Sequence, residues 1–294
     1  MSRRVLLSFA NVSYSDALVR LEREASQSGF FDEICMCTEK KLDQDYLQKY
    51  GTWISANKRG YGYWIWKSYL IKKYLHSLND GDYLVYLDSG CEVNQFGKKR
   101  YEEYLELASH SSLGLVCFTT MSSEGNYNKG DVLDTLGMRD NKIALCSAQI
   151  MGGVLIIYKS PFISSLVDNW YEIVHNNLHL VDDSPSVSPN LSTFIENRHD
   201  QSILSLLIKK VGGAVILRGF DEVEIWPMTN RNWRRLLHTP FHAVRRNNIS
   251  SRVGNGGRGS MIMNLIWGFE NYIIDKYVAL RVRIGAKRKV LLQR

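Results

Sequence analysis

The chain has 294 residues, 45% of them hydrophobic and 23% charged, which is enough to bury a sizeable core. No stretch reaches the roughly 18 to 20 unbroken apolar residues of a membrane span, and the opening MSRRVLLSFANVSYSD lacks a small-residue cleavage site, so a cytoplasmic location is expected. The formal net charge is +7, and from Glu270 onward seven basic residues against two acids supply +5 of it.

In chain order, residues 5–9 form a short apolar run and predict a first strand. Ala17, Leu18, Leu21 and Ala25 then recur at helical spacing, and a second strand is expected over 33–37. A helix is expected over 63–78, ending at the turn Asn79-Asp80-Gly81 and feeding a strand over 83–87. A polar helix over 98–109 precedes a strand over 113–119. Helices alternating with near-continuously apolar strands imply a largely parallel sheet covered on both faces. Ligands of such sheets bind beyond the carboxyl ends of the strands.

The second half begins with a strand over 150–158 and a helix over 161–176. A polar excursion over 181–191 has the character of a mobile lid or acceptor loop. A helix over 200–210 and a strand over 214–217 follow, then a segment rich in Arg, Asn and Gly. Gly254 to Gly259 is expected to act as a hinge before an amphipathic basic end, which fits either an anionic membrane surface or the chain's own domain. Five cysteines, with Cys35 and Cys37 followed by no second Cys/His pair, point to structural thiols.

Three stretches carry candidate chemistry. In YLVYLDSGCE, a strand stopping at Asp88, followed by Ser89 and Gly90, puts a carboxylate at the ligand rim, where it can hold Mg²⁺ or Mn²⁺ against a diphosphate or simply cap the turn. In GYGYWIWK, the glycine turn, Tyr63, Trp66 and Lys67, with Arg59 just before, suit a base and a phosphate, or core packing. At RHDQS, Asp200 either caps a helix or faces a sugar.

The succession GYGYWIWK, YLDSGCEV, QIMGGVLIIYK, RHDQS and HAVRRN, over roughly residues 1–250, resembles bacterial glycosyltransferases of capsule and O-antigen (lipopolysaccharide) assembly. That resemblance implies an α/β GT-A fold, the Rossmann-like fold of nucleotide-diphospho-sugar transferases. Its sheet would be mostly parallel, with a nucleotide-binding half over 1–120, an acceptor-binding half over 121–250 and a separate basic tail over 251–294. It implies hexose transfer, preferentially of galactose from UDP-galactose with retention, to a surface-polysaccharide or lipid-linked acceptor. The enzyme would be peripheral on the inner face of the cytoplasmic membrane and would need no nucleic-acid partner.

By the same resemblance Asp88 matches the first acid of a D-x-D motif, while Gly90 stands where a second acid is usual and Glu92 is the nearby substitute. His242 is similar to a histidine that completes the metal shell. Phe9, Ala10 and Asn11 after the first strand, with Arg59, Tyr63, Trp66, Lys67, Ser89, Gly90 and Arg245, are then expected to serve the nucleotide, Arg246 joining Arg245 at the leaving diphosphate. Gln149, Gly152, Gly153 and His199 would line the sugar and acceptor site, and Asp200 with Gln201 would act at the reacting carbon. An inverting hexosyltransferase, or a non-catalytic nucleotide-sugar or carbohydrate binder of the same fold, is the alternative.

Overall fold

The structure is a computed structural model and describes residues 2–224 and 237–245. Six strands form the main sheet in the order β2-β1-β3-β6-β5-β7: β1 (Arg4–Phe9), β2 (Glu33–Cys37), β3 (Tyr83–Leu87), β5 (Leu115–Ser123), β6 (Ala148–Tyr158) and β7 (Val215–Arg218). β1 is parallel to β2 and β3, and β5 is parallel to β7, while β6 runs against both of its neighbours. Five strands therefore share one direction, and the expected mostly parallel sheet is present with one reversed member. No crossover helix lies between β5 and β6. Only short helical turns at Glu124–Tyr127, Gly130–Thr135 and Lys142–Cys146 connect them, and an antiparallel return needs no more.

Helices α1 (Ser15–Ser28) and α4 (Lys98–His110) cover one face of the sheet. Helices α2 (Gln44–Ala56), α3 (Ile65–His76), α5 (Pro161–Asn176) and α6 (His199–Val211) cover the other. The strand period of two sorts the core accordingly. Val5, Leu7, Phe9, Leu84 and Tyr86 pack with the second helix group, and Leu6, Val85 and Leu87 with the first. By the same alternation Asp88, just past β3, is directed to the face of α3 and α6.

Local chemistry sets the boundaries. α1 stops at Gly29, whose φ of 65° suits a residue without a Cβ. α5 starts where Ser160 caps Ile163 and Pro161 presets the first turn. α3 begins at Ile65 rather than at 63, because Tyr61, Tyr63 and Trp64 lie at φ between 53° and 60° and close a left-handed turn against α2. Helix α2 itself was not anticipated. A second, two-stranded sheet pairs β4 (Glu92–Val93) with β8 (Phe241–His242).

The segment 181–191 departs from the expected mobile loop. The buried Asp131 carboxylate accepts from the backbone N–H of Val187 at 2.9 Å and of Ser188 at 2.8 Å. The ammonium of Lys129 holds Asp182 at 3.1 Å and the carbonyl of Ser184 at 3.2 Å, and Asn190 accepts from Gly130 N–H at 2.7 Å. A segment with this many buried polar anchors is fastened to the domain. Arg246, the expected hinge at Gly254 to Gly259 and the basic tail over 251–294 lie outside the described residues.

Candidate active site

The site is built where β3 ends beside the reversed β6. The Asp88 N–H donates to Gly153 C=O at 2.9 Å, so the two chains meet backbone to backbone. There is room for little else: a Cβ on Gly153 would stand 2.6 Å from Asp88 Oδ2. The side chain of Asp88 is 44% exposed, and its Oδ1 accepts from the Tyr86 hydroxyl at 2.7 Å. From behind, the guanidinium of fully buried Arg20 donates to the carbonyls of Ser89 at 3.0 Å and Cys91 at 2.7 Å. Ser89 and Gly90 thus form a turn held rigid under the exposed carboxylate.

Lys67 on α3 points into the same corner. Its ammonium lies 3.1 Å from Asp88 Oδ1, 3.4 Å from Asp200 Oδ2 and 3.2 Å from Gly152 C=O. The Gly152 carbonyl accepts a hydrogen bond from this ammonium, and the two carboxylates lie within ion-pair distance of it. Burial works against the ammonium, but Asp200 and Asp88 outweigh it and hold its pKa above the ordinary value. Asp200, the second residue of α6, is 4% exposed. Burial pushes its carboxyl up to about 6; Lys67 pulls the other way and the charge of Asp88 adds to the rise. Two carboxylates of different exposure thus share one cation at the rim.

Gln201 and Gln149 support this corner from beneath. Gln201 accepts from Gly152 N–H at 2.9 Å and donates to Gln149 Oε1 at 2.7 Å. Gln149 is fully buried with its whole amide engaged, so it acts under the floor expected of it and not on its surface. Gly152 contributes its backbone beside the carboxylate of Asp200.

The aromatic residues form the wall. Phe9 and Trp66 stack at 4.0 Å between centroids, both nearly buried, and Trp66 Nε1–H donates to Gly60 C=O at 2.9 Å. Ala10 N–H continues the β1–β2 ladder onto Cys37, and Asn11 opens the turn beyond it. His199 has φ 57°, lies between Tyr63 and Trp64 with centroids at 5.2 and 5.0 Å, and bonds Val181 C=O through Nδ1 at 2.6 Å. Burial lowers its pKa. Arg59 reaches Asp183 at 2.9 Å and ties this wall to the 181–191 segment. Sequence reasoning left the aromatics of GYGYWIWK between a base site and core packing, and the structure packs Trp66 on Phe9 and Tyr63 and Trp64 on His199.

The proposed metal residues are distributed differently. Glu92 and His242 stand opposite each other in the β4–β8 ladder, both largely buried. Among the described residues no three His, Cys, Asp or Glu side chains gather as a metal-holding group. Of Asp88, Glu92 and Asp200, Asp88 offers a half-exposed carboxylate, and Mg²⁺ or Mn²⁺ bound through one carboxylate plus substrate phosphates fits that donor set. Arg245 carries a φ of 52° and, with Arg198, acts on the half-buried Glu224, whose carboxyl is raised by burial against their pull.

Glu124, Ser205 and Lys209 were missed by the sequence reading. Glu124 is fully buried, and its carboxylate accepts from Lys209 at 2.7 Å, Asn128 at 2.7 Å, Gln149 at 3.2 Å and the Ser205 hydroxyl.

No protein-family profile matches the chain, and no curated protein does. Among solved structures it is similar to galactosyltransferase LgtC in complex with donor and acceptor sugar analogs, at 14% identity over 90% of this chain and 95% of that one, TM-score 0.43. Mouse xyloside xylosyltransferase 1 is similar at 10% identity over 87% and 98%, TM-score 0.45. A glycosyltransferase involved in glycosylation of the major capsid of PBCV-1 is similar at 11% over 82% and 91%, TM-score 0.44. Likenesses at these identities and scores assign no activity to this chain.

Proposed function

We propose that the chain is a GT-A-type glycosyltransferase that moves a hexose from a UDP-sugar, preferentially galactose and with retention, to a hydroxyl of a surface-polysaccharide or lipid-linked glycan. The observation that carries this reading is the meeting of Asp88, Lys67 and Asp200 beside the Gly152-Gly153 backbone, at the carboxyl end of a parallel strand. An exposed carboxylate for the diphosphate end and a buried one for the sugar are what glycosyl transfer asks of a protein.

In this reading Asp200 faces the reacting sugar, where its carboxylate binds donor hydroxyls, accepts the acceptor's proton or stabilises positive charge at the anomeric carbon. Lys67 keeps the two carboxylates at a fixed separation. Gly152 and Gly153, lacking side chains, let Asp200, Lys67 and Asp88 lie directly against the β6 backbone. Arg245 and Arg198, with Arg246 in the adjoining undescribed segment, meet the negative charge that grows on the departing UDP. Asp88 would hold Mn²⁺ or Mg²⁺ together with the diphosphate, and such a cation would neutralise leaving-group charge. The basic segment over 251–294 is proposed to bring the enzyme to an anionic membrane surface carrying the acceptor. Among the described residues no helix is long and apolar enough to cross a membrane.

The test is to incubate the protein with a panel of UDP-hexoses and Mn²⁺, with and without glycan acceptors, and to measure UDP release. UDP-galactose turnover that rises with acceptor supports the reading. Saturable UDP-hexose binding with no release from any sugar makes the protein a binder and overturns it.

A further inference from the structure

We propose that Glu124 is a positioning residue for the transfer site, fixing the direction of a hydrogen-bond relay that ends on the Gly152 peptide beside Asp200. The relay runs Lys209, Glu124, Gln149, Gln201, Gly152, and every joint is short: 2.7, 3.2, 2.7 and 2.9 Å in that order. Its direction follows from chemistry. A carboxylate only accepts, so Gln149 must turn its NH₂ toward Glu124 and its carbonyl away. Gln201 must then present its NH₂ to that carbonyl, and its own carbonyl is left to accept from Gly152 N–H.

The strand pairing explains why Gly152 needs this partner. β5 and β6 fall out of register between the pairs Cys117–Leu155 and Thr119–Ile150, so residues 151–154 of β6 have no counterpart in β5. The Gly152 N–H is satisfied from α6 instead, and Ile150 N–H likewise by Ser205 Oγ at 2.7 Å, which itself donates to Glu124. One buried carboxylate therefore sets two peptide groups of β6 and the amide next to Asp200. In the next peptide unit, the carbonyl of the same Gly152 accepts from Lys67 at 3.2 Å. Lys209 has its three donors committed to Glu124, Ser147 Oγ and Ala148 C=O, each at 2.7 Å, so it fixes Glu124 in turn.

The claim about transfer rests on the proposed function; the claim about orientation does not, and two measurements keep them apart. Gln149→Met cuts the relay while leaving the Glu124–Lys209 pair, and the double variant Glu124→Met/Lys209→Met removes both charges together with the acceptor at 124, leaving neither charge buried unpaired. In each, amide hydrogen exchange at Gly152 is expected to speed up on the order of tenfold or more relative to core amides of α5. The kcat for UDP release is expected to fall on the order of ten- to a hundredfold, with UDP affinity within about twofold of wild type, because misplacing a reacting group costs rate before nucleotide binding. Exchange at Gly152 that is unchanged, or that rises only with that of all core amides, overturns the relay. Local exchange at Gly152 with an unaltered kcat overturns its role in positioning. An inactive wild-type protein overturns the transfer reading by itself, and the exchange comparison still decides the orientation claim.

Discussion

An ammonium can satisfy three acceptors, and Lys67 finds three at one corner of the sheet, two of them carboxylates. That arrangement makes single-atom changes informative. Asp88→Asn keeps the shape of the strand-end residue and removes the charge assigned to the diphosphate side. Turnover should drop by on the order of a hundredfold or more in a protein that still folds, with some loss of stability because buried Lys67 keeps only one of its two carboxylates. Wild-type turnover in that variant would exclude Asp88 from the chemistry. Gly153→Ala tests the same corner by volume alone. Its new methyl would meet Asp88 Oδ2 at 2.6 Å, so the carboxylate must move, and activity should fall about tenfold or more in a folded protein. Gly51→Ala on α2, where an added Cβ meets nothing within 4 Å, is the matched control and should leave activity intact.

Between elements, the buried polar groups act as fasteners. Asp131 is held below the ordinary carboxylate range: burial opposes its charge, but the N–H groups of Ser188 and Val187 outweigh burial. Asp131→Ala leaves those donors unpaired and should cost about 2 kcal/mol. Limited proteolysis should then cut within 183–188 first, and resistance there would show that the segment is held by other contacts.

His175 at the end of α5 offers a pH test. Its Nδ1–H donates to Tyr171 C=O at 2.9 Å, so Nε2 accepts from the Tyr46 hydroxyl at 3.2 Å, and burial lowers its pKa from 6.5 to about 4. Between those values the unfolded chain binds a proton that the folded one refuses. Stability therefore rises with pH across the window and is lost as pH falls from 6.5 to 4, by up to about 3 kcal/mol from this group. Denaturant titrations of His175→Gln should show a correspondingly flatter profile over that range. An equally steep loss in the variant would assign the acid sensitivity to other groups.

At the scale of the whole chain, the tail is the segment proposed to find the membrane. Several basic residues at about 1 kcal/mol each near an anionic surface would hold the enzyme reversibly. Deleting residues after Gly259 should release the protein from anionic vesicles, as should high salt, while activity on a short soluble acceptor survives. Full vesicle binding by the truncated protein would dismiss the proposal. Much of this architecture was legible in the sequence. The runs at 33–37, 83–87 and 161–176 are bounded by turn residues and sit where expected. Helix α2 was overlooked because its buried face is built from Tyr46, Tyr50 and Ile54 among polar neighbours, a sparse signal. The reversal of β6 was hidden because an apolar run has no direction. Asp88 and Asp200 were readable as acids at element ends. Glu124 was not, since a glutamate in a polar stretch gives no sign of being buried until the long-range partners Gln149 and Lys209 are in place.

The reversed strand β6 also bears on how the protein acquires its working form. β1, β2 and β3 pair with one another within the first 87 residues, whereas β3 must wait for residues 154–158 to emerge. Lys67 and Asp88 belong to the early part, Gly152, Gly153 and Asp200 to the late one. Distant pairings are slow to form because the intervening chain must first be ordered. On a ribosome, then, the amino-terminal portion would emerge with Lys67 facing only one of its two carboxylates. The competent centre would arise in a single late step, when α6 and β6 close over the edge of β3.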